Sequence, residues 1–484
     1  MDARTERDSL GEMRVPAEAY WGAQTARAIE NYPISGLRPH PALVENTVRI
    51  KLAAARAHEA LGTLSPRIAR AIQRACEEIL GGALADQFVV DPYQAGAGTS
   101  HHMNVNEVIA SRASEILGGP RSASGGLVHP NDHVNRGQST NDVFPTAMRL
   151  AGYRLALRLL EALDDLAAAL REKSRETMGV IKSGRTHLQD AAPIRFGREI
   201  GAWAENAERH RQEIARTASG LLELGIGGTA VGTGLSAPRG FRERVVADLA
   251  EQLGWPLRSS DDLFEAMQSL RPVAGLSAAL RNFALDLFRI SSDLRLLSSG
   301  PLTGLSEIRL PEVQPGSSIM PGKINPSIPE MVGQVCARVI GNDATIGFCA
   351  ASGQLELNVF FPVAAHTLLE TETILANTIR VFTDRCVRGL KVDEARCAQY
   401  AERSQQLVLA LAPRIGYERA ARIARNALAA RKTILEQVLE EGLLPEEEAR
   451  ALLDPARMVD PAESPAGSVS TSASSPFPGA SPRG

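Results

Sequence analysis

The sequence predicts a mainly α protein built around a bundle of long helices. The first observation is the segment "RLAGYRLALRLLEALDDLAAALREKSRE" (149–176), in which Leu and Ala recur every three or four residues. This is the period of an amphipathic helix. The second is that four more segments of about twenty residues or longer share the period, as helices of a bundle do. The third is that several of these segments carry little charge on any face, which indicates burial between subunits as well as within one. These segments are 198–224, 273–298, 329–350 and 363–390.

Composition narrows the class of protein. The 484 residues are 44% hydrophobic and 23% charged, with a formal net charge of -3, which is ordinary for a globular protein and predicts no broad basic surface for nucleic acid. No apolar run approaches the roughly 18 residues of a membrane span. The start, "MDARTERDSLGEMR", lacks the apolar centre of a secretory signal. Five cysteines without a Cys-x-x-Cys pair favour free thiols in a reducing cytoplasm.

Two other segments have clear local signals. Residues 394–460 are predicted to form shorter helices, with turn signals such as Pro413 and Gly416. The tail 461–484 is rich in Ser, Pro, Gly and Ala, and is expected to be disordered. The stretch "GIGGTA" (225–230) matches the loose Gly-x-Gly-x-x-Gly/Ala nucleotide pattern, but a helical run precedes it. We therefore expect a tight turn between helices there.

The segment "GSSIMPGKINPSIPE" (316–330) is a polar, proline-rich loop between two helix-patterned regions. Its prolines exclude a continuous helix. Five residues separate Gly316 from Gly322, and Ile324 follows Lys323, so it is not a phosphate-binding P-loop. It also lacks the Gly-x-Ser-x-Gly of a nucleophile elbow. A plain connector and a functional loop both remain open on these residues alone.

Three more polar segments lie at the ends of apolar helices: "GAGTSHHMN" (96–104), "HPNDHVNRGQSTND" (129–142) and "SGRTHLQD" (183–190). Simple helix capping explains one such segment. Four of them, with hydroxyl and amide donors and one lysine, predict a site for a small ligand with two anionic groups. His101 and His102 are adjacent, but no Asp or His stands at ligand spacing from them, so no metal site is predicted.

The loop "GSSIMPGKINP" resembles the signature of the fumarase/aspartase superfamily, and the other three segments match its blocks in order, from about residue 5 to about 460. The resemblance implies a mainly α, three-domain lyase whose long central five-helix bundle forms a twenty-helix core in a homotetramer, with each active site shared by three subunits. The implied division is an N-terminal mixed helical domain (1–137), a central helix-bundle domain (138–393), a small C-terminal helical domain (394–460) and the tail.

Shorter segments indicate which branch of the superfamily the sequence resembles. The segments "ENYPISG", "DQFVVDPYQAGAGTS", "QSTND", "GRTHLQDA" and "KVDEARC" resemble aspartate ammonia-lyase, whereas "YWGAQT" and "LNVFFP" are fumarase-like. Class II fumarases more often have a second Ser where Thr140 stands. Two residues depart from both branches: His102 and Ser236 each stand where asparagine is usual.

The resemblance also implies roles for individual residues. Ser317 is the implied base, supported by Lys323 and backbone donors. Glu330 is implied to orient His187 from a neighbouring chain, and a capping box that begins at Ser327 is the alternative for Glu330. The carboxylate that becomes the enediolate has the implied ligands Thr99, Ser139, Thr140 and Ser318, and the other carboxylate has Thr186, Lys323 and Asn325. The residues implied to face the leaving amine are Asn141, Thr186 and His187. The resemblance also implies a secondary anion site formed by His129, Asn131 and Asp132.

The implied function is a carbon–nitrogen lyase, aspartate ammonia-lyase, which interconverts L-aspartate with fumarate and ammonia through a Cβ proton abstraction and an aci-carboxylate. It implies no required metal or organic cofactor, and leaves activation by divalent cations open. A class II fumarate hydratase, a carbon–oxygen lyase, is the second hypothesis. A non-catalytic descendant, like the lens crystallins of this superfamily, is the third, and the presence of Ser317, Lys323, Asn325 and His187 disfavours it. The expected partners are a dicarboxylate and further copies of the chain, in the cytoplasm.

Overall fold

A computed structural model describes residues 2–460 and confirms the mainly α fold class. The predicted tail lies outside the described residues. The α-helices are α1 Ala23–Asn31, α2 Pro41–Ala60, α3 Pro66–Leu80, α4 Thr99–Ile116, α5 Thr140–Glu176, α6 Phe196–Ala218, α7 Phe241–Leu253, α8 Leu263–Gln268, α9 Arg271–Leu297, α10 Ser327–Ala351, α11 Phe361–Phe382, α12 Glu394–Arg403, α13 Ala412–Ile415, α14 Tyr417–Ala430, α15 Ile434–Glu440 and α16 Glu446–Leu452.

The strands are short, and four of the eight form two hairpins. Two antiparallel pairs, β1 with β2 and β3 with β4, and one parallel pair, β5 with β6, are found. The strands are β1 Ala3–Asp8, β2 Gly11–Pro16, β3 Ile181–Thr186, β4 Gln189–Arg195, β5 Glu223–Leu224, β6 Arg258–Ser259, β7 Ile308–Arg309 and β8 Lys391–Val392. Short 3-10 or π segments are Ala85–Gln87, Gly96–Gly98, Pro130–Val134, Ser219–Leu222, Thr383–Val387, Gln405–Ala410 and Pro455–Arg457.

All five long helices that the sequence predicts are present as α5, α6, α9, α10 and α11. Their ends differ from the prediction. Helix α5 begins at Thr140 and runs through Pro145, because Pro145 lies close to the amino end, where few intrahelical bonds are lost. Helix α6 ends at Ala218 and continues as a single 3-10 turn.

The chain forms two compact units. Unit 1 contains the residues up to Lys173 together with Ile200–Lys391, and unit 2 contains Ser174–Glu199 and the chain from Val392 onward. The three-domain division expected from the resemblance stays a prediction.

Unit 1 contains the long helices and an amino-terminal helical layer. Helices α2, α3 and α4 enclose an apolar core that includes Val48, Ile72 and Ile109. In the bundle, polar side chains connect neighbouring helices. These hydrogen bonds join Asn206 of α6 to Asp286 of α9 (2.9 Å), Ser277 of α9 to Asp343 of α10 (2.7 Å), and Asn342 of α10 to Thr371 of α11 (2.9 Å).

Unit 2 has its own core. Ile423, Ile434 and Val438 are buried among the short helices α14, α15 and α16. Thr433 begins α15 with a capping box, in which its hydroxyl accepts from the Glu436 N–H and the Glu436 carboxylate accepts from the Thr433 N–H. The unit also contains the β3–β4 hairpin, which carries two of the predicted site residues.

The cysteines and the helix lengths bear on two general properties. All five cysteines are buried, and none of them forms a disulfide bond. Within residues 2–460, no helix combines the length and the apolar character needed to cross a membrane.

Glu372 of α11 is a buried carboxyl group in the bundle. Its side chain is fully buried, and neither carboxyl oxygen has a hydrogen-bond partner among the described residues. Burial raises the pKa of Glu372 well above its ordinary value of 4.5. Because the unfolded chain ionises this group at lower pH than the folded chain does, the native state loses stability as the pH rises above that value.

We therefore expect Glu372→Met to raise the free energy of unfolding by about 1–3 kcal/mol. The gain should be larger at about pH 8 than at about pH 5, because only the wild-type chain carries the ionisation penalty. Glu370→Met is the matched control, since Glu370 lies on the same helix but is paired with Arg338 of α10. Thermal unfolding of the three proteins at both pH values measures this, and a Glu372→Met protein that is less stable at pH 8 would contradict it.

Candidate active site

The loop between β7 and α10 holds Ser317 in a defined hydrogen-bonding arrangement. The Ser317 Oγ accepts from the backbone N–H of Met320 at 2.9 Å and from that of Ile319 at 3.2 Å. Two backbone donors aimed at one hydroxyl oxygen favour its anionic form, as donors in an oxyanion hole do. The neighbouring Ser318 is exposed, and so are Ile319 and Met320.

The same loop is closed at its base by Lys323 and Asn325. The Lys323 Nζ donates to Asn325 Oδ1 at 2.6 Å, and Asn325 Nδ2 donates to the Gly316 carbonyl at 2.7 Å. The Gly316 N–H in turn donates to the Lys323 carbonyl at 2.8 Å. These bonds place one exposed cation beside the Ser317 segment. The loop therefore presents a hydroxyl, an ammonium and an amide together.

Glu330 lies in the first turn of α10, directly after this loop, and is half-buried. The capping box from Ser327 to Glu330 was the wrong interpretation: the helix begins after Pro326, and no side chain caps it. Pro326 ends the loop, and its carbonyl accepts from the Glu330 N–H at 3.2 Å. The Glu330 carboxylate is thus left for a role outside this turn.

Thr99 begins α4, immediately after Gly98. Gly98 has φ +92°, and a Cβ there would lie 2.1 Å from the Phe144 ring of α5, so only glycine fits. On its other side, the Ala97 N–H donates to the Val359 carbonyl at 3.4 Å. The close packing brings the start of α4 against the start of α5 and against the segment before α11. Thr99 is therefore held near the predicted ligands at the amino end of α5.

Ser139, Thr140 and Asn141 form that amino end of α5. The Ser139 N–H donates to Asp142 Oδ1 at 3.0 Å, and the Asn141 N–H donates to Ser139 Oγ at 3.2 Å. Asp142 Oδ2 accepts from the backbone N–H groups of Gly227 and Thr229, both at 3.0 Å. The "GIGGTA" segment is thus a turn that binds the buried Asp142 side chain.

Asn141 is oriented by the same turn. Its Nδ2 donates to the Ala230 carbonyl at 2.8 Å. The amide orientation is therefore fixed, and Oδ1 is the atom left to accept from a ligand.

Thr140 contacts a residue that the sequence singled out only as a departure. Its Oγ1 lies 2.8 Å from His102 Nδ1, and His102 Nε2 lies 2.6 Å from Lys51 Nζ. Both His102 and Lys51 are fully buried. Sequence reasoning missed Lys51, since a single lysine in the apolar pattern of α2 gives no signal of burial.

Thr186 and His187 lie at the tip of the β3–β4 hairpin in unit 2. Thr186 pairs with Gln189, so His187 and Leu188 form a two-residue turn. Their φ angles are +55° and +60°, as a type I′ turn requires. Neither residue is Gly or Asn, the types that adopt this turn readily, so the tip is strained and both side chains are exposed.

Variants at the tip of this hairpin are expected to affect the stability of the protein and its activity differently. Leu188→Gly should stabilise the protein by about 1 kcal/mol, because glycine adopts positive φ without strain, and should preserve activity. His187→Asn combined with Leu188→Gly should be at least as stable but lose most activity, because the imidazole is gone. Thermal unfolding and turnover of both variants test this; a destabilising Leu188→Gly would contradict the turn assignment.

The predicted secondary anion site lies at a π turn, Pro130–Val134, which contains Asn131 and Asp132 and is preceded by His129. The His129 Nδ1 accepts from the N–H groups of Asn131 and Asp132, at 3.3 Å and 3.1 Å. His129 therefore caps this turn, and its Nε2 is the ring atom left for a ligand. The site itself stays a prediction. Across residues 2–460, no group of three or more His, Cys, Asp or Glu side chains is placed to hold a metal ion.

Unit 1 therefore contains two polar groups. One is the α5 start, with Thr99, Ser139, Thr140 and Asn141, and the other is the loop with Ser317, Ser318, Lys323 and Asn325, whose side-chain bonds stay within residues 316–325. Unit 2 carries Thr186 and His187.

Comparison with known proteins identifies the family of the chain. A model described as "Lyase" matches residues 11–341, and one described as "Fumarase C C-terminus" matches residues 407–460. The chain belongs to the fumarase/aspartase superfamily. It is 45% identical over 459 residues to fumarate hydratase class II 1 of Pseudomonas aeruginosa, covering 95% of this chain and 99% of that protein. It is also 45% identical over 460 residues to aspartate ammonia-lyase of Bacillus subtilis, covering 95% and 96%.

A solved structure of this superfamily agrees with the fold. The structure described as fumarate lyase:delta crystallin from Brucella melitensis bound to cobalt has a TM-score of 0.91 and 46% identity, covering 95% of this chain and all of that one. The chain is therefore a lyase of the superfamily, with equal identity to members named for two different substrates.

Proposed function

We propose that this lyase interconverts L-aspartate with fumarate and ammonia, and that Ser317 removes the Cβ proton. The observation that carries the proposal is the pair of backbone N–H groups that donate to Ser317 Oγ. A serine hydroxyl removes such a proton effectively only as its alkoxide, and donors already in place lower the free energy of that alkoxide. Ordinary serine turns have the same contacts, so the effect of removing the Ser317 hydroxyl on turnover distinguishes a base from a connector.

The remaining polar residues fit a dicarboxylate substrate. Abstraction of the Cβ proton turns the adjacent carboxylate into a dianionic aci-carboxylate, which needs several donors in place before the reaction. Thr99, Ser139, Thr140 and Ser318 are proposed to supply them. Lys323, Asn325 and Thr186 are proposed to hold the other carboxylate. Glu330 is proposed to orient His187 across subunits, and no metal or organic cofactor is proposed for the chemistry.

One local feature favours ammonia over water as the leaving group. Asn141 Nδ2 gives one of its two protons to the Ala230 carbonyl, which orients the amide so that Oδ1 can accept from a ligand. An ammonium group has only donors, so an acceptor together with Thr186 and His187 suits aspartate. The aspartase-like segments support the same branch: Asp91 of "DQFVVDPYQAGAGTS" accepts from the N–H and hydroxyl of Ser35 in "ENYPISG", at 2.6 Å and 2.8 Å.

A class II fumarate hydratase is the second candidate, because a relative with that name has the same 45% identity as the aspartate ammonia-lyase. Parallel assays of L-aspartate and L-malate, each followed by the fumarate formed, distinguish the two. The proposal expects faster fumarate formation from aspartate. Faster formation from malate would establish the second candidate, and no reaction with either would favour the non-catalytic hypothesis.

We further propose a cytoplasmic homotetramer in which three subunits contribute to each site. Thr186→Ala and Lys323→Ala variants are each expected to be inactive alone, and mixing them after dissociation and reassembly should restore a fraction of the activity. Mixed tetramers would contain some sites with both native residues, because the two residues would come from different chains. Light scattering gives the assembly state, and an active monomer or no regain in verified mixed tetramers would contradict the shared site.

A further inference from the structure

Lys51 is a fully buried cation with three neutral acceptors. Its Nζ lies 2.9 Å from Asn135 Oδ1, 2.9 Å from Gln138 Oε1 and 2.6 Å from His102 Nε2. A buried lysine usually has a carboxylate partner. Here each acceptor is neutral, so the arrangement satisfies the three ammonium protons one by one.

The orientation of both amides is fixed independently of Lys51. Asn135 Nδ2 donates to the Gln138 carbonyl at 3.2 Å, and Gln138 Nε2 donates to the carbonyls of Val134 and Arg136, at 3.1 Å and 3.2 Å. These bonds identify the NH₂ end of each amide, so the oxygens are the atoms that face the lysine. Two of the three ammonium protons are therefore assigned to these oxygens.

The third proton decides the tautomer of His102. An ammonium has no lone pair, so His102 Nε2 must accept from it, and the ring proton must then sit on Nδ1. The Nδ1–H donates to Thr140 Oγ1, 2.8 Å away. Since Thr140 accepts this bond, its own hydroxyl proton is left to donate elsewhere.

We propose that Lys51 and His102 are positioning residues that direct the Thr140 hydroxyl proton toward the substrate carboxylate, and that loss of the Lys51 proton reverses this direction. A neutral Lys51 would give two protons to the amides and turn its lone pair to His102. His102 would then carry its proton on Nε2, and Thr140 would donate to Nδ1 instead of to substrate. The inference rests on the proposed role of Thr140 as a carboxylate ligand.

The surroundings allow this reversal near neutral pH. Burial lowers the pKa of Lys51 to about 7, opposed by the charges of Asp142 and Cys76. Burial, with the charges of Lys51 and His101, lowers the pKa of His102 well below its usual range, so the ring stays neutral. Burial raises the pKa of Asp142 to about 6. A pH rise through about 7 therefore removes the Lys51 proton and weakens carboxylate binding, while Asp142 is already ionised.

The experiment compares the pH dependence of kcat/KM for wild type, His102→Asn and His102→Leu in the lyase reaction. An asparagine can place its Nδ2 near the position of the ring Nδ1, so His102→Asn can donate to Thr140 at every pH but has no ring proton to exchange in response to Lys51. From about pH 6 to about pH 9, wild-type kcat/KM should fall on the order of tenfold or more, the effect of one hydrogen bond to a charged group. His102→Asn should keep most activity at about pH 6 and lose this decline.

His102→Leu breaks the connection, and we expect a lower kcat/KM throughout the range. Should this variant fail to fold, the comparison of wild type with His102→Asn still decides. If the wild type is active and His102→Asn has the same pH profile, the proposed roles of Lys51 and His102 would be overturned, while the proposed function would stand. A wild type inactive on both aspartate and malate would overturn the two together.

Discussion

Ser317→Ala is expected to lower kcat by about 10²–10⁴, the usual loss on removing a positioned acid or base. Dicarboxylate binding should persist, because the proposed carboxylate ligands remain. The Met320 and Ile319 N–H groups that donate to Ser317 Oγ would lose their acceptor in an exposed loop, where water replaces it. Steady-state turnover and calorimetric titration with succinate measure the two effects separately.

Ser327→Ala is the matched control for this variant. Ser327 begins α10 close to the same loop, and its side chain caps nothing. We expect near-normal turnover from it. A folded Ser317→Ala protein with the turnover of the Ser327→Ala control would refute the assignment of Ser317 as the base, whichever substrate is used.

Lys323→Met is expected to damage substrate binding and turnover together. Its ammonium is proposed to meet a substrate carboxylate in the ground state and to favour ionised Ser317 in the reaction. The loss of a charged hydrogen bond alone costs about 1.5–3 kcal/mol, or about 10-fold to 150-fold in KM. Variation of kcat and KM, measured at constant ionic strength, gives the size of both effects.

Lys323→Arg separates charge from shape. It keeps the cation but changes the geometry of the bond to Asn325 Oδ1, so KM should recover more than kcat. Unchanged kcat and KM in Lys323→Met, with only a change in thermal stability, would support the connector interpretation of the loop and contradict ours.

The long helices were predictable because each repeats a period over five or more turns. In helix α5 the periodic pattern does not reach the start of the helix. The helix begins at Thr140, before the periodic region, and Pro145 made a helix unexpected at that point. The start is fixed by the contact of Asp142 with the turn at Gly227 and Thr229, which lies far away in the chain. Local pattern contains no information on such a partner.

The candidate site was predictable as polar segments, but not as a network. Ser317, Lys323 and Asn325 are close in sequence, so their loop was recognisable before its hydrogen bonds were known. His102 was recognised only as a departure, since its partners Lys51 and Thr140 lie on other helices. Ser236, the other departure, adopts φ +74°, a conformation that asparagine adopts more readily than serine. The backbone thus explains why asparagine is usual at this position, and nothing in the structure explains the serine.

The most direct test of the account is to incubate the wild-type protein with fumarate and ammonium in deuterium oxide and to identify the product. The account predicts L-aspartate with a single deuterium at Cβ, because the base that removes the Cβ proton must return one from solvent in the reverse direction. It also predicts that Ser317→Ala forms this product at least about 100-fold more slowly. Malate as the main product in the presence of ammonium would contradict the substrate assignment, and unchanged fumarate would contradict the lyase activity itself.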